Sequence, residues 1–259
     1  GRFLVMVYNA RIKTYENTKQ ITIYSKTFTR EEESKIQKNE NLRKDYKNKD
    51  RTEQEERNCQ NVSIKQTKNR IYDIARANTW EWFITLTFDR EKKDSSDYDI
   101  VVNTLNDYLQ NIKKRQCPDL KYLIVPELHA DGEHYHFHGL LANCNGLNFV
   151  FSGKYDRKKH LPIYNIQNWR IGWTTATRVQ DTHRVSSYIT KYITKDCVNI
   201  LKNKKRYYTS HNIDKPVVDY TVLDKDAFIK STMGDIAYYK TIDVKQAGLQ
   251  VNYYEFKQL

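Results

Sequence analysis

The sequence predicts an α+β domain, an antiparallel sheet with helices packed on one face. Three observations lead there. The run "WEWFITLTF" (80–88) is β-branched and aromatic and alternates as a strand does. Two further strand-like runs, "LKYLIVPELH" and "HYHFHGLLAN", flank Asp131-Gly132, the strongest short hairpin signal in the chain. Helical stripes lie on either side of these runs. Strand, helix, hairpin, strands and helix in that order make an antiparallel sheet with helices.

Taken in order, residues 3–29 alternate loosely, as in "ITIYSKTF", and predict short strands. Residues 30–78 are rich in Glu, Lys, Arg, Asn and Gln. There, Ile64, Ile71, Ile74 and Ala75 fall at near-helical spacing, which predicts one or two charged helices. After the strand at 80–88, "DSSDYDIVVNTLNDYLQNIKKR" opens on capping residues and carries Val101, Leu105, Tyr108, Leu109 and Ile112 as an apolar stripe. The hairpin follows. Residues 148–180 hold short strand candidates and the aromatic pair Trp169 and Trp173. Residues 182–196, "THRVSSYITKYITKD", predict a helix seated by Val185, Ile189 and Ile193. Beyond 200 the chain is basic and Tyr-rich, without a clear period.

Composition narrows the function. With 44 Lys and Arg against 32 Asp and Glu, the 259 residues carry a formal charge of +12. A polyanionic partner fits that balance. The 20 Tyr and 4 Trp interleaved with cations suit unpaired bases, which stack on rings while cations track phosphates. Cys59, Cys117, Cys144 and Cys197 form no C-x-x-C pair and read as reduced thiols of a cytoplasmic protein. No apolar run is long enough to cross a bilayer, and no secretory pattern is evident at Gly1–Val7. Gly153-Lys154 lacks the flanking residues of a P-loop, so no helicase motor is recognisable.

Chemistry concentrates in two places. Four of the seven histidines lie between 129 and 138. His134, His136 and His138 alternate with Tyr135 and Phe137, so as strand residues they share one face. A turn centred on Asp131-Gly132 sets His129 opposite His134, Glu127 opposite His136, and Val125 opposite His138. One carboxylate and two imidazoles then converge. Such an N,N,O site suits Mn²⁺ or Mg²⁺ acting on a phosphate. A zinc or iron site built from paired histidines is the alternative at this stage.

The second place is "YITKYITK" (188–195), two overlapping Y-x-x-K units. On a helix Tyr188 and Tyr192 lie one turn apart, flanked by Lys191 and Lys195 and turned away from the apolar stripe. A phenol is a poor nucleophile at its ordinary pKa near 10, so it needs a polarised target and a nearby cation.

The segments "FITLTFD" (83–89), "HFHGLL" (136–141) and "YITKYITK" resemble, in order and spacing, the three motifs of HUH rolling-circle replication initiators. These are replication-associated proteins of small single-stranded-DNA phages and Gram-positive mobile elements. The resemblance runs from 71 to 216. It implies an HUH endonuclease domain there, preceded by N-terminal strands and a charged helical segment (1–70) and followed by an extension packed on the domain (217–259).

The implied fold is an RRM-like antiparallel sheet of about five strands flanked by helices. The implied metal ligands are His136 and His138, with Glu127 as third ligand and His129 as second choice. The implied nucleophile is Tyr188 or Tyr192, singly or in alternation, assisted by Lys191 and Lys195. The implied activity is nicking and joining of single-stranded DNA or an origin hairpin through a 5′-phosphotyrosine, with a host helicase and polymerase as partners. An HUH transposase or relaxase, or a non-catalytic origin-binding regulator, would share many of these features.

Overall fold

The computed structural model describes residues 7–32, 53–193 and 204–257. They fall into two compact units. One draws on the chain up to residue 59 and from 215 onward, the other on 60–214.

The 60–214 unit is organised by strands that bury both faces. β3 (Trp82–Phe88) alternates strictly, with Trp82, Ile84, Leu86 and Phe88 buried and the residues between them half-buried. It lies between β5 (Tyr135–Ala142) and β8 (Gly172–Arg178), antiparallel to both. With β4 (Lys121–Leu128), β6 (Phe149–Tyr155), β7 (Pro162–Ile166) and the two-residue β9 (Tyr208–Thr209), the order is β6-β7-β8-β3-β5-β4-β9. This is the α+β, RRM-like sheet expected from the sequence, with seven strands in place of about five. The β6–β7 hairpin and short β9 extend its two edges.

Helices cover both faces, not the single face that the element order suggested. Helix α2 (Tyr98–Arg115) begins at Asp97, whose carboxylate accepts from the backbone N–H groups of Asp99 and Ile100. It sets Val101, Leu105, Leu109 and Ile112 against Trp82, Ile84, Leu86 and Phe137. On the opposite face, α1 (Glu53–Arg76) and α3 (Thr182–Ile189) cover Leu123, Val125 and Leu140 with Ile71, Ile74, Val185 and Ile189. The reason lies in the central strands. Adjacent residues of β4 and β5, such as Ile124 beside Val125 and Leu140 beside Leu141, are both apolar, so each face needs a cover.

Gly139 belongs to this packing. A Cβ there would lie 2.9 Å from Ile124 Cγ1 and 3.3 Å from Ile84 Cγ1. The glycine of "HFHGLL" lets β3, β4 and β5 close together beside His138.

The other unit joins the two ends of the chain. β1 (Val7–Thr14), β2 (Lys19–Thr29), β10 (Val217–Thr221), β11 (Ile236–Val244) and β12 (Leu249–Phe256) form an antiparallel sheet in the order β10-β1-β2-β12-β11. Helix α4 (Lys225–Thr232) lies between β10 and β11 in sequence. Ala10, Ile21, Ile23 and Tyr254 make a core with Phe228 of α4 packed against it. Cys59, Cys117 and Cys144 are free thiols, and Cys197 lies outside the described residues. Among the described residues no helix is long and apolar enough to cross a membrane.

Candidate active site

The hairpin register places the first three side chains. β4 and β5 pair with Glu127 opposite His136 and Val125 opposite His138, as the turn position predicts. The connection is wider than a two-residue turn. The ladder closes at Leu128–Tyr135, His129 donates its backbone N–H to the His134 carbonyl, and Gly132 takes a positive φ of 73°. Asp131 holds this loop by accepting from the backbone N–H groups of Glu133 and His134 and from Arg90 at 2.7 Å. Those bonds hold its carboxyl well below the usual range.

Glu127 Oε2 lies 2.6 Å from Nε2 of both His136 and His138, and the two nitrogens are 3.1 Å apart. Neighbouring ligands of an octahedral ion with bonds of roughly 2.0–2.1 Å are about 3 Å apart, so the donor set fits one divalent cation. Among the described residues, Glu127, His136 and His138 are the group able to hold a metal ion. His129, the second choice for third ligand, is not in that group, and its Nδ1 lies 3.5 Å from Asp131. Asp131 also takes His134, with Nδ1 at 2.9 Å.

Burial works against ionisation of Glu127, but hydrogen bonds from His136 and His138 outweigh it and bring the carboxyl down to about 2. Burial lowers His138, which favours the neutral imidazole that a metal needs. Thr85 Oγ1 sits 3.0 Å from His138 Nδ1 and orients the ring so that Nε2 faces the carboxylate.

The tyrosines reach this cluster through α3. Asp181 caps the helix by accepting from the Arg184 N–H. The helix is shorter than expected. It gives way to a 3₁₀ turn, Thr190–Tyr192, in which the Thr190 hydroxyl donates to the Ser187 carbonyl at 2.7 Å. That back-bond tightens the last turn, and the chain departs at Ile193 with ψ of 86°. Ile193 remains buried, as do Val185 and Ile189.

Tyr188 and Tyr192 stay neighbours across the change, with ring centroids 5.6 Å apart. Tyr192 stacks on His138 at 3.5 Å, and both tyrosine rings touch Phe83. Burial, then a hydrogen bond donated to Tyr188, push the Tyr192 phenol far above its ordinary pKa. Lys191 Nζ lies 5.1 Å from the Tyr188 ring centroid. Lys195 lies outside the described residues.

Three side chains near the cluster escaped the sequence reading of the site. Thr85 was inside the motif "FITLTFD" but carried no signal of its own. Lys159, from the loop between β6 and β7, lies 4.8 Å over the Tyr188 ring. Trp173 lines a cleft of about 480 Å³ with His136, His129, His134 and Arg90. A second cleft of about 590 Å³ holds Tyr188 and Phe83 with Lys158, Lys159, Arg178, Arg184 and Lys191.

A family model for replication-associated proteins of the ORF2 type matches residues 81–197, a little under half the chain. That stretch includes every strand and helix that supplies the cluster. No curated protein and no solved structure matches the chain.

Proposed function

We propose that this protein nicks and rejoins single-stranded DNA at a replication origin and so starts rolling-circle replication, using a metal site and a 5′-phosphotyrosine intermediate. The observation that carries the reading is the Tyr192–His138 stack, which brings two tyrosines up against a carboxylate–imidazole cluster. The family match supports a role in replication initiation.

Glu127, His136 and His138 hold the cation. Mn²⁺ or Mg²⁺ there would supply a Lewis acid for a phosphate oxygen. Tyr188 is the first nucleophile. Its oxygen accepts a hydrogen bond from Tyr192, which keeps its own proton because burial and that bond disfavour its ionisation. The ammonium groups of Lys191 and Lys159 lie over the Tyr188 ring and stabilise charge on its oxygen.

The Tyr188 oxygen attacks the scissile phosphorus. A bond forms from that oxygen to phosphorus, and the bond from phosphorus to the 3′ oxygen breaks. The phenol gives up its proton, Lys191 being placed to pass it on, and the leaving oxygen gains one to become a 3′ hydroxyl. Joining is the same exchange in reverse. One phosphodiester is traded for another, so no energy cofactor is consumed. Tyr192 is placed for the second transfer that closes the displaced strand, and Lys195 would serve it as Lys191 serves Tyr188. The free 3′ hydroxyl primes a host polymerase, with a host helicase separating the strands.

The test is incubation with a library of single-stranded oligonucleotides and Mn²⁺, followed by peptide mapping of covalent adducts. A 5′-phosphotyrosine on the peptide containing Tyr188 and Tyr192 is expected. An adduct on any other segment, or none from any library member, overturns the mechanism.

A further inference from the structure

We infer that the exposed indole of Trp173 is a stacking platform for an unpaired DNA base next to the scissile phosphate. The inference rests on the DNA-nicking reading above and adds a binding subsite to it. Three of the four tryptophans are buried, Trp80, Trp82 and Trp169 at 3%, 4% and 3% exposure, whereas Trp173 is 63% exposed. Trp80 and Trp169 donate their indole N–H groups to backbone carbonyls. Among the described residues no such partner is found for Trp173.

Register places this ring. Trp173 pairs with Thr87 on β3, and Thr175 pairs with Thr85, which in turn pairs with His138 on β5. Alternation puts Trp173, Thr87, Thr85 and His138 on the same face of the sheet. Two strand spacings separate β8 from β5, roughly 10 Å, so a base beside a phosphate at the triad can reach the indole. The backbone under the indole is fixed. A Cβ at Gly172 would lie 2.0 Å from the Thr87 carbonyl oxygen, so β8 is pressed against β3 there.

The two clefts differ in charge. Around Trp173, Arg90 is balanced by Asp89 and Glu91 and is already engaged by Asp131. Such a cleft suits the face of a base better than a phosphate. The cleft at Tyr188 has Lys158, Lys159, Arg178, Arg184 and Lys191 against Asp181, and suits the phosphate backbone. Thr85, Thr87, Thr175 and Thr177, small and at least partly open, occupy the same face of the sheet. A strand lying across that face must turn a base outward onto the indole. A duplex keeps its bases stacked on one another and offers no free face.

The experiment uses the full chain, an oligothymidylate and a duplex oligonucleotide. The single strand should quench the tryptophan fluorescence of the wild type, and Trp173→Phe should remove that quench, since the other three indoles are buried. Trp173→Ala should weaken oligothymidylate binding about 5- to 150-fold, with Trp173→Phe restoring much of it and EDTA changing neither result. The duplex should give no such quench. A quench that persists in Trp173→Phe, equal quenching by duplex, or unchanged affinity in Trp173→Ala overturns the platform. Those outcomes are independent of cleavage. A platform that fails in a protein that nicks leaves the enzyme reading standing, and a platform that holds in a protein that forms no adduct overturns only the enzyme reading.

Discussion

The ring of Tyr192 lies on the imidazole of His138 with centroids 3.5 Å apart and planes 17° from parallel. This contact ties α3 to the hairpin and sets the distance between tyrosine and metal ligands. It also separates two functions of Tyr192 that mutation can tell apart. The ring positions His138, and the hydroxyl bonds to Tyr188.

Tyr188→Phe is therefore expected to lose the initiating adduct, with cleavage falling at least about 100-fold, as befits loss of a nucleophile. Tyr192→Phe keeps the ring on His138 and should still form that adduct, but fail in strand transfer. Tyr192→Ala removes the stack as well and should also weaken metal binding. Gel assays of adduct and rejoined product on one oligonucleotide separate these outcomes. Full initiation by Tyr188→Phe would reverse the assignment of the two tyrosines.

His136→Ala and His138→Ala should abolish cleavage while leaving single-strand affinity within a few fold, because phosphate contacts elsewhere supply most of the binding. Thr85→Val, which removes the partner of His138 Nδ1 but not a ligand, should cost about 10–100-fold in metal affinity. Titration of Mn²⁺ against cleavage rate measures both. Undiminished nicking by EDTA-treated protein would contradict the metal assignment.

Glu127 predicts an acid dependence of stability for protein stripped of metal. Its folded carboxyl titrates at about 2, below the ordinary 4.5. A depressed carboxylate contributes stability that is complete above pH 4.5 and disappears as pH falls toward 2. A shift of this size corresponds to about 3 kcal/mol, reduced to about 2 because a quarter of the side chain faces water. Denaturant melts between pH 6 and 2 should show this slope, and Glu127→Gln should flatten it. An equal slope in the variant would mean that other carboxylates carry the effect.

Gly139→Ala should destabilise the protein by about 1–3 kcal/mol, the usual cost of overpacking. The added methyl meets Ile124 and Ile84, and the strain falls one residue from His138. Cleavage should drop more than the fraction folded. Thermal melting and specific activity on the same preparation make the comparison.

The basic cleft predicts the salt response. Each phosphate contact to a single strand contributes roughly −0.7 to the slope of log affinity against log salt. Lys158→Ala with Arg184→Ala should lower the slope by about 1.4 and leave Trp173 quenching in place. An unchanged slope would remove those side chains from the DNA path.

What the sequence determined by itself was local. Glu127, His136 and His138 lie within twelve residues, and an alternating pair of strands around one turn has only one register that keeps Val125 and Phe137 buried. The α2 stripe and its Asp97 cap likewise follow from spacing within one segment. Tertiary structure decided the rest. Phe83, His138 and Tyr192 come from three distant segments, and nothing in "YITKYITK" says which face of the sheet that helix covers. The cover on both faces follows from side chains of β4 and β5 that a period of two cannot distinguish from a one-sided strand. The pairing of β1 with β10 and of β2 with β12 joins residues about two hundred positions apart. Such contacts leave no periodic trace, because the burial that stabilises them exists only once both ends of the chain have met.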